Sequence, residues 1–174
     1  MCKQLLIICC LTFTLISCQT NRIPDLTNIQ RKEIADSIKQ QNQALLITLL
    51  KKNSYDQWIS HWLKENEDFW TNKPATMVNN CDIVPTFKEI EEIFRPALAN
   101  RASTKNSILS DHIAVLSNNI AIQVYETEYS VTSLEGKSSP YNPVTVTILW
   151  IKQKGEWKIF HYHQSWTTNI QDSP

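Results

Sequence analysis

Glycine is almost missing: Gly136 and Gly155 are the only two in 174 residues. Each falls where a turn is wanted, so glycine-dependent left-handed backbone is confined to those places. There is no excess of charge either, with 17 Lys+Arg against 17 Asp+Glu. Nothing here suggests nucleic-acid binding, which would call for a basic stripe. No internal repeat or long low-complexity tract is present. No apolar run reaches the roughly 20 residues of a bilayer-spanning helix; Leu5–Ile16 is about a dozen. Of five cysteines, only Cys81 lies beyond residue 18.

What is present begins with a short basic start, Lys3, before that apolar run. The pattern fits the core of a secretory signal peptide. It ends in Leu15-Ile16-Ser17-Cys18, which resembles a bacterial lipobox. The resemblance implies cleavage before Cys18 and attachment of palmitate-type acyl chains to it. An ordinary signal peptide or a signal anchor is the alternative. Three acyl chains would anchor the protein stably, since one chain alone binds a membrane only marginally. Removal of residues 1–17 and lipidation of Cys18 leave Cys81 as the sole thiol. An internal disulfide is then excluded in spite of an oxidising compartment. A lone cysteine of this kind is expected to be a small buried apolar group. The remaining chain of about 157 residues has 16 Lys+Arg against 17 Asp+Glu and the length of one domain.

Residues 18–28 are polar and unpatterned and read as a tether. From about Leu26 to Lys52, Ile34, Ile38, Leu45 and Leu49 keep helical spacing, with Leu46 and Leu50 beside them. Ser54 is placed to cap a second, short helix carrying Trp58 and Trp62 at i and i+4. A stretch of strand and turn character follows. Thr86-Phe-Lys-Glu89 has the form of a capping box for a third helix, which Pro96 should kink or split. The remainder reads as strands. Asn118-Asn119 joins two of them, residues 134–143 form a longer loop, and Lys154-Gly155-Glu156 makes a tight turn into Gly155–Trp166. Helices first and antiparallel strands after them argue for an α+β fold, a sheet with helices on one face.

Three features together resemble the nuclear transport factor 2-like superfamily, also called the SnoaL-like or cystatin-like cone fold. They are "SYDQWISHW" after the long helix, "TFKEIEEIF", and above all "TVTILWIKQKGEWKIFHYHQSW" with its Trp-x-x-x-x-Gly-x-Trp and His-x-His-x-Ser pattern. The group nearest in character includes the association domain of calcium/calmodulin-dependent protein kinase II. The resemblance implies a curved sheet wrapped round the long helix over residues 29–168, a conical pocket, and a homodimer formed through the sheet. A tail, 169–174, follows. Carried over, the pocket residues are Trp58, Trp62, Phe69 and Trp70. The Ile122–Ser130 strand adds one of two faces. Alternation leaves the choice open, and analogy with the kinase domain favours the face of Glu126. That domain's pocket arginines correspond here to Glu126 and Ile148, so its anion binding is not expected. No acid–base set of the superfamily's isomerases or dehydratases is matched residue by residue.

Strand alternation puts Trp157, Ile159, His161, His163 and Ser165 on one face. His161 and His163 would stand about 7 Å apart, within reach of one zinc, but spacing fixes no third ligand. His61, His112, Asp68 and Glu126 are arbitrary choices for it, so no metal and no cofactor is expected. His163 with Asp68 or Glu126 is a candidate acid–base pair. Ser165 has no nucleophile elbow. The expectation is a lipid-anchored protein of the bacterial cell envelope, at the periplasmic face or the outer-membrane surface. It binds an unidentified small molecule or envelope protein, without catalysis, through Trp58, Trp62, Phe69, Trp70, Glu126, His163 and Ser165. An isomerase or lyase using His163 is the alternative. A structural lipoprotein whose sheet docks another envelope protein is a third reading.

Overall fold

The computed structural model of the chain describes residues 25–63, 76–79, 82–84 and 86–166. Cys18, Asp68, Phe69, Trp70 and Cys81 lie outside them. Among the described residues three helices precede or interrupt a six-stranded sheet: α1 (Asn28–Leu49), α2 (Tyr55–Ile59), β1 (Thr76–Asn79), β2 (Asp82–Val84), α3 (Phe87–Ala99), β3 (Arg101–Ser117), β4 (Ile120–Ser133), β5 (Ser138–Gln153) and β6 (Glu156–Trp166). The class is α+β.

α1 starts at a reciprocal cap. Thr27 Oγ1 accepts from the Gln30 backbone N–H at 3.2 Å, and Gln30 Oε1 accepts from the Thr27 N–H at 2.9 Å. Its buried stripe is Ile38, Asn42, Leu45 and Thr48. Arg31 ties the helix to β3 by donating to the Val115 carbonyl at 2.7 Å.

Three sequence expectations about the helices need correction. Ser54 precedes α2 but makes no side-chain cap bond, and its buried hydroxyl has no partner. α2 is also one turn long, so Trp62 follows it in extended backbone. There the chain pairs with β6: Leu63 N–H donates to Ile159 O and Ile159 N–H to His61 O, both at 2.9 Å. In α3, Thr86 caps as expected, accepting from the Glu89 N–H at 3.2 Å. Pro96 does not split this helix, which runs unbroken from Phe87 to Ala99. It stands in the last turns, and its carbonyl still closes the end by accepting from Asn100 N–H at 2.9 Å.

The strand order is β2-β1-β6-β5-β4-β3, antiparallel except for the parallel β1–β6 pair. The long β3, β4 and β5 form a curved sheet, bent by bulges. The Lys154-Gly155 turn has positive φ at both residues, 51° and 87°, the geometry of a type I′ hairpin. Residues 138–143 are not loop but the start of β5, with Ser138–Tyr141 paired to Tyr129–Thr132. Among the described residues β6 reaches only Val144, so no described strand pairs with residues 138–143 on that side, an edge position of the kind that tolerates Pro140 and Pro143.

One residue decides which way β6 faces. Trp150 pairs with Ile159 and Leu149 with His161, which leaves Phe160 as the extra residue of a bulge. Alternation therefore resets at Phe160. Trp157 and Ile159 are followed on the inner face by Tyr162, Gln164 and Trp166, and His161, His163 and Ser165 turn to the other face. The core joins Ile38, Leu45, Trp58, Trp62, Ile90 and Leu98 from the helical side to Ala121, Tyr125, Val146, Ile148, Trp150 and Ile159 from the sheet. At its centre Gln123, fully buried, accepts from Trp150 Nε1 at 3.0 Å and donates to Asp111 Oδ1 at 2.9 Å.

Candidate functional site

The inner face of the sheet and the three helices enclose a cavity of about 340 Å³. That volume is at the small end of small-molecule sites, about 300–1,000 Å³. α1 contributes Leu46 and Leu49, α2 Trp58, and α3 Ile93, Phe94 and Ala97; the strands supply the rest. The helical wall is aromatic. Trp58 stacks on Phe94 with ring centres 5.0 Å apart and meets Trp62 edge-on at 5.1 Å. An ion pair on the outside, Arg95 to Asp56 at 2.8 Å, joins α3 to α2. Both partners are largely solvated, so it contributes little to stability.

The strand wall is built of tyrosines. Tyr125, Tyr129, Tyr141 and Tyr162 line the cavity, four of the five in the chain. Tyr125 hydrogen-bonds to Tyr162. Tyr162 in turn donates to Gln164 Oε1 at 3.1 Å, and Gln164 Nε2 donates to Asn79 Oδ1 at 2.6 Å. Burial raises the pKa of both Tyr125 and Tyr162, as the charged form would lose its hydration. Burial raises Tyr129 too, against the opposing pull of Arg101. These hydroxyls therefore act as neutral hydrogen-bonding groups.

Arg101, the first residue of β3, also lines the cavity and is only 9% exposed. One of its nitrogens donates to the Leu49 carbonyl at 3.3 Å, and the guanidinium carbon lies 5.7 Å from the centre of the Tyr129 ring. Lys137 stands among the lining residues as a second, exposed cation. Among the described residues the lining includes no histidine, cysteine, aspartate or glutamate. No group of three such residues able to hold a metal is found among the described residues.

Residues 38–169 match the family model of the SnoaL-like domain. The chain belongs to the SnoaL-like family. Solved structures agree on the fold. One is a candidate dehydratase of the NTF2-like family from Streptomyces avermitilis, with a TM-score of 0.69 at 13% identity, covering 79% of this chain and 98% of that one. The association domain of calcium/calmodulin-dependent protein kinase II from C. elegans gives 0.59 at 14%, covering 79% and 99%. A hexachlorocyclohexane dehydrochlorinase from Novosphingobium barchaimii gives 0.59 at 12%, covering 85% and 99%. Identities this low establish the fold alone. None of the curated proteins matches the chain.

Several residues singled out from the sequence fall elsewhere in this SnoaL-like cone. Trp58 lines the cavity, whereas Trp62 is buried behind it, packed between Trp58 and the Tyr162 ring at 5.6 Å. Glu126 is on the outer face, because Tyr125 and Thr127 take the inner positions on either side of it. His163 and Ser165 are outside as well, reversed by the Phe160 bulge. Glu126 and Ser165 each pair with Thr145 across that outer face, and His163 pairs with Thr147 one row away. His112 is exposed on β3. His61 meets Gln41 at 3.1 Å away from the cavity, and burial lowers its pKa. Ile148 is fully buried core. Phe69 and Trp70 lie outside the described residues.

The sequence held one usable signal for the tyrosine wall. On β4 the two faces are Glu126 with Glu128, or Tyr125 with Tyr129, and paired charges belong in water. Arg101 carried no such signal, since it follows a helix end directly.

Proposed function

We propose that this SnoaL-like protein is a lipid-anchored envelope protein whose cavity binds a small ligand without transforming it. The supporting observation is the character of the lining: its described titratable groups are four tyrosines, Arg101 and Lys137. The buried phenols of Tyr125, Tyr129 and Tyr162, held above their ordinary range, orient a ligand but are poor bases near neutrality. His163, the acid–base group of the isomerase or lyase alternative, faces away from the cavity. A dimer through the sheet belongs to the same reading. On the outer face, Ala114 and Leu149 flank Ile122 in register, and Val124 is 36% exposed one row on.

Native mass spectrometry of the full chain, released from detergent in the gas phase, tests this reading. The expected result is a dimer carrying a co-purified small molecule of unchanged mass. A monomer would overturn the dimer, and turnover of the carried molecule would overturn the non-catalytic role. The anchor has its own test. Globomycin should cause uncleaved precursor to accumulate, and Cys18→Ala should abolish lipid labelling; if neither happens, the lipobox reading is wrong.

A further inference from the structure

We infer that the cavity is a receptor for a small amphiphilic anion, an apolar or aromatic body ending in one carboxylate, with Arg101 as the head-group site. This rests on the reading of the cavity as a binding site and names its ligand class. A guanidinium keeps its charge in any protein environment. Burying such a charge without an opposite one is costly, and the structure shows no carboxylate paired with Arg101 among the described residues. Its recorded contacts are a carbonyl, the Tyr129 ring and the Tyr129 hydroxyl. A guanidinium has five donors in a planar fork that matches a carboxylate edge. The second lining cation, Lys137, adds to the positive field, and no described lining residue opposes it.

The rest of the cavity selects the body of the ligand. Leu46, Leu49, Trp58, Phe94, Val144 and Val146 offer an apolar and aromatic wall. Tyr125 bonds to Tyr162, Tyr162 to Gln164, and Tyr129 to Arg101, so these three hydroxyls make little demand for a polar chain. A free inorganic anion would fill the Arg101 end and leave that wall wet. An uncharged hydrophobe would fill the wall and leave Arg101 unpaired. Only an amphiphile satisfies both ends.

The test uses the full chain in phosphatidylcholine nanodiscs, with empty nanodiscs as blank, titrated calorimetrically with 4-phenylbutyrate, 4-phenylbutanol and 4-phenylbutylamine. These share one body and differ in the head. The expected order places the carboxylate at least about tenfold tighter than the alcohol, with the amine weakest. Arg101→Gln should remove that preference and leave 4-phenylbutanol within about twofold. Equal binding of alcohol and carboxylate would overturn the anion site and leave the binding cavity standing. Absence of binding by all three would overturn both. The three-probe comparison on the unaltered chain decides the matter even if Arg101→Gln fails to fold.

Discussion

Gln123 is the most demanding polar residue of the fold, and its replacement by leucine is the sharpest test of the core. The side chain is fully buried. It satisfies the Trp150 indole N–H at 3.0 Å and the Asp111 carboxylate at 2.9 Å. Leucine nearly conserves volume, so the cavity contribution is small. What is lost is hydrogen bonding. The Trp150 N–H, on a residue that is itself fully buried, would stay unsatisfied at a cost of about 1–3 kcal/mol. Asp111 is half-buried and can recover part of its loss from water. The sum is about 2–4 kcal/mol, which lowers Tm by roughly 5–15 °C for a domain of this size. Asp111→Asn keeps an acceptor facing Gln123 and should cost under about 1 kcal/mol. Gln123→Glu still accepts from Trp150 but faces Asp111 with like charge. Its carboxyl pKa is raised in the folded state, so its stability deficit relative to wild type grows as pH rises through that value and shrinks below about pH 4. Urea unfolding followed by tryptophan fluorescence reads all three variants. If Gln123→Leu unfolds within about 0.5 kcal/mol of wild type, the network does not hold the sheet together and the reasoning fails.

Deletion of Phe160 should be tolerated, because joining Ile159 to His161 makes a regular ladder with every face unchanged. Deletion of Tyr162 would instead exchange the faces of everything after it; circular dichroism melts should separate the two by more than about 3 kcal/mol. His163→Ala and Ser165→Ala, on the outer face, should leave 4-phenylbutyrate affinity within about twofold, and a larger effect would return these residues to the site. Trp58→Ala and Trp62→Ala should each cost about 3–5 kcal/mol, but only the first opens the cavity wall directly, a difference that tryptophan quenching by the bound probe would register. Tyr125 and Tyr162 should stay protonated beyond the ordinary tyrosine value of 10.0. Because their folded values are raised, stability is intact below pH 10 and is lost as pH climbs above it, so absorbance at 295 nm should show them titrating only with unfolding.

Much of the scaffold was legible in residue patterns because it rests on local physics. The Thr86–Glu89 spacing marks a helix start, the 3.6-residue period of Ile34, Ile38, Leu45 and Leu49 marks α1, and Lys154-Gly155 marks a hairpin. The order of helices and strands, with the hairpin motif, was enough to indicate the SnoaL-like cone. Strand length was less legible. Residues 138–143 contain two prolines and read as loop, yet they extend β5, paired with β4 on one side and with no described strand on the other.

The sequence by itself determined the start of α3, the turns at 118–119 and 154–155, the α+β class and the family. The tertiary structure decided which side chains the cavity sees. A strand's side chains alternate with period two, so one extra residue exchanges its faces, and nothing local to Phe160 announces a bulge. That single register shift moved His163 and Ser165 outside and brought Tyr162, Gln164 and Trp166 in. Likewise the burial of Arg101 is set by Leu49 and Tyr129, residues 52 and 28 positions away in the chain. Such a juxtaposition exists only after the sheet has closed over the helices.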